Sequence, residues 1–185
     1  EDVSSFHVVD YDPETGDVRM RCTAQGLADD SFWSRGQAWG LYGYTVCYRY
    51  THDVRYLEQA CRIADFIFSL PLPDDLIPYW DMRDPAIPDT PRDASAAAII
   101  ASALLELVHY VDPSVFASKL SASEMFDYAD RIIDNLTAYY RYAPGEGQGF
   151  LLQHCVGHKP AGSEIDVPLI YGDYYYVEAI LRRGK

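Results

Sequence analysis

Arg35 and Trp39 stand four residues apart in the stretch Ser31-Phe32-Trp33-Ser34-Arg35-Gly36-Gln37-Ala38-Trp39-Gly40-Leu41-Tyr42-Gly43-Tyr44. On a helix that spacing puts both side chains on one face. A guanidinium takes a carboxylate in two parallel hydrogen bonds, and an indole covers the flat apolar face of a sugar ring. The pair therefore suits an acidic sugar, and it also suits a structural arginine buried beside a core tryptophan. Gly36, Gly40 and Gly43 fall in the same helical pattern. Each costs about 1 kcal/mol against alanine, so the pattern predicts close packing of that backbone against a neighbour or a ligand. Cys155-x-x-His158 has the spacing of half a metal site, and no second pair accompanies it.

These residues sit in a chain of 185 residues, enough for one domain with its own core. Hydrophobic residues make up 49% and charged residues 23%, the balance of a globular protein. A net charge of -13 leaves no basic patch to displace counterions from phosphates, which argues against nucleic acid and against an anionic membrane surface. It does not argue against a small acidic ligand, because salt screens distant charge beyond about 8–10 Å. No apolar run is long enough to span a bilayer. The four cysteines form no CxxC pair, and Cys47 and Cys61 fall in apolar helical patterns as small buried hydrophobes. Free thiols are expected, and with them a cytoplasmic location, the periplasm being the alternative. The chain opens on Glu1 without an initiator Met and reads as entered mid-sequence.

The elements that must position the arginine and the indole follow from periodicity. Phe6 to Tyr11 and Val18 to Thr23 read as strands around the turn Asp12-Pro13-Glu14-Thr15-Gly16-Asp17. Helices are predicted over 34–51, 53–69, 93–111, 123–142 and 171–182, with Ser31 and Ser34 marking the first start and a Ser121-x-x-Glu124 capping box opening the fourth. Residues 70–91 hold six prolines and read as a long, functional loop around Ile77-Pro78-Tyr79-Trp80-Asp81. Residues 150–154 read as a short strand and 157–166 as a loop. Small-residue helices (34–51, 93–111, 171–182) alternate with amphipathic ones (53–69, 123–142), which predicts inner and outer helices of an all-α (α/α)6 toroid of helical hairpins with short β-hairpin insertions. Only about half of such a toroid fits in this length. The starts of the inner helices, at Arg35, Arg92-Asp93 and Tyr171-Gly172-Asp173, are expected to gather on one face.

Several motifs stand together in order: Trp33-x-Arg35-Gly36-Gln37-Ala38-Trp39-Gly40, Ile77-Pro78-Tyr79-Trp80-Asp81, Pro91-Arg92-Asp93-x-Ser95-Ala96-Ala97, Lys159-Pro160-Ala161-Gly162-Ser163-Glu164-Ile165-Asp166 and Ile170-Tyr171-Gly172-Asp173-Tyr174-Tyr175. In this the chain resembles glycoside hydrolase family 88, the unsaturated glucuronyl hydrolases, over roughly the C-terminal half of the family's catalytic domain. The resemblance implies a single domain, 1–185, that is part of an α/α barrel. It implies action on the unsaturated uronic acid at the non-reducing end of lyase-generated oligosaccharides, by protonation of the C4=C5 enol ether, hydration at C5 and opening of the hemiketal. No metal or other cofactor is implied. By position, His7, Gln25, Arg35 and Trp39 look like the family's substrate-binding residues, and Lys159 matches a position that some members use toward sulfated substrates. His154 and Gly157 depart from the serines of those members.

The family's essential aspartates match nothing in this sequence, so no catalytic residue is assigned. Asp29, Asp30, Asp81, Asp93 and Asp173 fall at positions of helix caps and arginine partners. The alternatives are an unsaturated rhamnogalacturonyl hydrolase on the same barrel and a non-catalytic carbohydrate-binding remnant. A half toroid leaves apolar helix faces exposed, which predicts self-association.

Overall fold

The computed structural model describes residues 3–112 and 118–184. Among them are five α-helices: α1 (Ser34–Thr51), α2 (Val54–Ser69), α3 (Ala94–Leu107), α4 (Ala122–Tyr139) and α5 (Ile170–Arg183). Two antiparallel hairpins accompany them, β1 (Val8–Tyr11) with β2 (Val18–Cys22) and β3 (Cys155–His158) with β4 (Ser163–Val167).

Helix α3 is the centre of the fold. Every residue from Ala94 to Leu107 is buried, as its run of alanines predicts. Small side chains let α1, α4 and α5 all pack closely against it. Asp93 caps α3 by accepting from the backbone N–H groups of Ser95 and Ala96. α4 opens with the expected capping box, in which Ser121 and Glu124 satisfy each other's backbone N–H. α2 is amphipathic and buries Leu57, Ala60, Ile63, Ala64 and Ile67.

The starts of three helices meet at one side chain. Arg35, in the first turn of α1, lies 3.1 Å from Asp93 at the start of α3, and its guanidinium lies 5.3 Å from the ring centroid of Tyr171 at the start of α5. The gathering of these ends on one face is therefore present. α5 turns an apolar stripe outward: Ile170, Tyr174, Val177 and Leu181, at helical spacing, are all exposed.

Several local expectations are corrected. Neither serine caps α1 through its side chain: Trp33 is the capping residue, Ser34 Oγ donates to the carbonyl of Tyr79, and Ser31 Oγ donates to Asp81. Residues 150–154 are not a strand. The strand begins at Cys155, and the segment read as a loop returns as β4. The turn Lys159-Pro160-Ala161-Gly162 hides this pairing in the sequence, and so do the left-handed backbones of Glu164 and Asp166, residues that rarely take positive φ. The proline-rich loop buries Ile77, Trp80 and Asp81 and is tied down by bridges from Trp33 to Asp81 and from Tyr79 to Arg92. Cys47 is exposed, because α1 packs against α2 and α3 and Cys47 lies on a side that neither covers. The packing predicted for the helical glycines holds for Gly36 and Gly40 but not for Gly43, beside which a Cβ would meet nothing within 4 Å.

Candidate functional site

A cleft of about 240 Å³ opens beside the start of α1. It is lined by Ser5, Phe6, His7, Gln25, Trp33, Gly36 and Trp39. Three of the five residues expected to bind substrate, His7, Gln25 and Trp39, therefore meet in one cavity, although they come from the segment before β1, the segment after β2 and the second turn of α1.

Each is held by a specific contact. His7 Nδ1 lies 3.1 Å from the backbone N–H of Ala24 and 3.2 Å from that of Gln25. Two N–H groups aimed at one nitrogen require its lone pair, so the proton sits on Nε2 and makes that nitrogen a donor. Burial, then the nearby Arg35 guanidinium, then His158, lower the His7 pKa from its ordinary 6.5. The neutral imidazole is thus a hydrogen-bond donor near neutral pH, not an acid. Gln25 Nε2 donates to the carbonyl of Gly157 at 2.8 Å, which leaves its Oε1 as an acceptor. Trp39 packs edge-on against Tyr175 at 5.2 Å between centroids, so its ring orientation is set by α5.

Trp33 lines the same cleft and joins its parts. Its ring centroid is 4.4 Å from that of His7, and the Arg35 guanidinium lies 4.8 Å from it. Gly36 makes room for it, since a Cβ there would sit 2.7 Å from Trp33 Cε3. Sequence reasoning did not single out Trp33 as a site residue, although the spacing Trp33-x-x-Gly36 is the available signal. Gln37 was missed too: its amide accepts from Ser5 N–H at 3.1 Å and donates to the Ser5 carbonyl at 3.3 Å, pinning the segment that carries His7.

Arg35 and Lys159 are not brought into the cleft. Arg35 is 2% exposed. One guanidinium nitrogen bonds Asp93 and the Val156 carbonyl, and the other donates to the Gly157 carbonyl at 2.6 Å. The same Gly157 oxygen holds Gln25, so Arg35 fixes the cleft from behind. Lys159 bonds Asp84 at 3.3 Å and stands 4.5 Å above the Trp80 ring. Burial of Asp84 opposes its ionisation, but donors from Thr90, Ala86, Trp80 and Lys159 outweigh burial and lower its pKa to about 2.

The aspartates weighed in the sequence are occupied. Asp81, fully buried, accepts from Leu27 N–H, Ser31 Oγ and Arg83 N–H. Asp93 accepts from the start of α3 and from Arg35. Asp173 takes the N–H groups of Leu151 and Leu152 at 2.9 and 2.8 Å. Asp29 accepts from Thr23 N–H, and Asp30 pairs with Arg83. None lines the cleft, whose described lining residues can stack, donate and accept but carry no carboxyl group.

No family model matches the chain. It is 43% identical over 184 residues to an unsaturated glucuronyl hydrolase of Formosa agariphila, covering 98% of the chain and 44% of that protein. Its backbone matches the crystal structure of an unsaturated glucuronyl hydrolase specific for heparin with a TM-score of 0.93 at 47% identity, over 100% of the chain and 48% of the other. It also matches a mutant unsaturated glucuronyl hydrolase from Streptococcus agalactiae complexed with dGlcA-GalNAc6S, with a TM-score of 0.80 at 34% identity, over 100% of the chain and 48% of the other. The chain thus spans about half the length of the relatives it matches.

Proposed function

From the premise that the chain is homologous along nearly its whole length to the unsaturated glucuronyl hydrolases of glycoside hydrolase family 88, we propose that it forms the substrate-holding half of such an enzyme. The reaction is hydrolysis of an unsaturated uronic acid at the non-reducing end of an oligosaccharide, through hydration of the C4=C5 enol ether. The observation that carries this reading is the convergence of His7, Gln25, Trp33 and Trp39 on one cleft.

In this reading the unsaturated ring stacks on Trp39. His7 Nε2–H donates to a ring substituent, and Gln25 Oε1 accepts from a hydroxyl. Arg35 is a positioning residue, because its donors hold the backbone of β3 that holds Gln25. Water adds at C5 as a carboxylic acid protonates C4. By the family resemblance that acid is an aspartate upstream of the stretch matched here, in keeping with a cleft whose described lining residues carry no carboxyl group. The helices α1 to α5 form roughly half of an α/α barrel, the C-terminal part of the catalytic domain. The outward stripe of α5 then drives self-association when the 185-residue chain is made alone, which light scattering would detect as a dimer or larger species.

The test is loss of the enol-ether ultraviolet absorbance from lyase-generated disaccharides. The full-length protein consumes them, and the 185-residue chain alone does not. Turnover by the isolated chain would overturn the placement of the acid. Faster turnover of pectin-derived than of glycosaminoglycan-derived disaccharides would instead favour the rhamnogalacturonyl reading.

A further inference from the structure

The β3–β4 hairpin carries the Gly157 carbonyl to which Gln25 and Arg35 both donate, so the shape of the cleft depends on where that hairpin lies. Its two ends are held differently. At the base, the Val156 carbonyl accepts from Arg35 and the Val156 N–H reaches Asp93 at 3.4 Å. The tip, from Lys159 to Glu164, is mostly exposed. Among the described residues its one ion pair is that of Lys159 with Asp84, in the proline-rich loop, at 3.3 Å. Pairing along the hairpin is itself interrupted: the register shifts between Cys155 and Val156, and Glu164 and Asp166 take left-handed backbone. A two-stranded hairpin with a broken ladder does not fix its own tip.

Asp84 is prepared to hold that lysine. Its buried carboxylate accepts from the Ala86 N–H at 2.9 Å, from Trp80 Nε1 at 2.5 Å and from the Thr90 hydroxyl at 2.6 Å. These three donors belong to the loop itself and fix the carboxylate in place without the lysine. Lys159 Nζ also stands 4.5 Å from the centroid of the Trp80 ring, so the ammonium is gripped by a charge and by a π face. Trp80 shares one apolar cluster with Trp33, which lines the cleft, and with Val156 of β3. The Trp80 carbonyl accepts from the Ser34 N–H at 3.1 Å, at the start of α1. Asp84, Lys159, Trp80 and Trp33 thus join the loop, the hairpin and the cleft wall in one unit.

We propose that Asp84 is a positioning residue for the cleft: through Lys159 it latches the tip of the β3–β4 hairpin onto the proline-rich loop, and so keeps the Gly157 carbonyl where Gln25 and Arg35 use it. This rests on the reading of the cleft as the seat of the unsaturated ring. Lys159 then serves the protein rather than the ligand, its ammonium being engaged by a carboxylate and an indole of the chain itself. Opening the latch loosens Gln25 and weakens substrate binding. It leaves the chemistry at C4 and C5, which Asp84 does not touch, unchanged.

The experiment compares full-length wild type with Asp84→Asn, Lys159→Met and the double variant on an unsaturated disaccharide without sulfate. Each single variant should raise KM about fivefold and leave kcat within about twofold. The double variant should be no worse than either, because all three open the same latch. Lys159→Met leaves Asp84 its three loop donors, so it reads the latch even where Asp84→Asn folds poorly. A lysine that met the ligand directly would be released by Asp84→Asn. That variant would then bind the disaccharide as tightly as wild type or more tightly while Lys159→Met weakened binding, a pattern that overturns the latch. An unchanged KM in both single variants, or strictly additive losses, overturns it too. Hydrogen exchange without substrate gives a reading independent of the substrate assignment. Both single variants should speed exchange at the amides of 156–165 about fivefold and leave 94–107 in α3 unchanged. Unchanged exchange in the hairpin, or equal acceleration in α3, overturns the latch. Faster hairpin exchange in a protein that turns over no unsaturated disaccharide supports the latch and overturns the functional reading alone.

Discussion

Replacing Asp93 by asparagine isolates the contact on which the cleft's rear wall depends. The side chains of Asp93 and Arg35 are 0% and 3% exposed and lie 3.1 Å apart. Asparagine keeps an oxygen for the Ser95 and Ala96 N–H groups and is itself a good helix cap, so the cap loses little. What is lost is the counter-charge of a buried guanidinium. Breaking a buried pair from one side costs about 3–5 kcal/mol. Arg35 retains the Val156 and Gly157 carbonyls, which places the expected loss at the lower end, about 3 kcal/mol. In a domain of this size that is a fall in Tm of about 6–12 °C. Urea unfolding of wild type, Asp93→Asn, Arg35→Met and the double variant gives the coupling directly. The double variant should be more stable than the sum of the single losses predicts, because neither charge is then stranded. A loss in Asp93→Asn below about 0.5 kcal/mol, or strictly additive losses, would refute the view that this pair joins α1, α3 and β3.

Three further outcomes follow from particular residues. Gly36→Ala drives a Cβ to within 2.7 Å of Trp33 and should cost about 1–3 kcal/mol, whereas Gly43→Ala, with open space beside it, should gain about 0.5–1 kcal/mol; chemical denaturation reads both. The lowered pKa of His7 means that its contribution to stability is present above 6.5 and is lost as pH falls through the lower folded-state value. Disaccharide affinity should fall over the same window, and His7→Asn should flatten the affinity profile. Alkylation followed by mass spectrometry should label the exposed Cys47 first. Cys61, whose thiol is pushed up to about 12 by burial, and Cys155, buried and likewise shifted upward, should react only on unfolding.

The helices were legible because their signals are local. The residues of α1 from Ser34 to Thr51 and the capping box of α4 follow from spacing and from side chains within one turn. The all-round burial of the alanine-rich α3 was equally legible, because small and apolar residues stand on every side of it. Direction was not legible. The spacing of Arg35 and Trp39 put them on one face, but it could not say that Arg35 would turn its donors to carbonyls 121 and 122 residues away while Trp39 met the cleft. The meeting of His7, Gln25 and Gly157 is likewise a product of long-range contacts, and only a family resemblance pointed to His7 and Gln25. The β3–β4 hairpin escaped because its pairing runs through a proline turn and two left-handed residues that alternation cannot register. Cys47 misled because an all-round apolar helix does not say which side a neighbour will cover.

The claim that the cleft formed by His7, Gln25, Trp33 and Trp39 holds an unsaturated uronyl ring is tested most directly by calorimetric titration of the full-length protein. The ligands are an unsaturated uronyl disaccharide and its saturated counterpart, each titrated into wild type and Trp39→Ala. The account predicts saturable binding of the unsaturated sugar, weaker binding of the saturated one, and a loss of about tenfold or more in Trp39→Ala, titrated well below the lowered Tm of that variant, which also loses its packing on Tyr175. Binding of equal strength in wild type and Trp39→Ala, or no preference for the unsaturated ring, would contradict it.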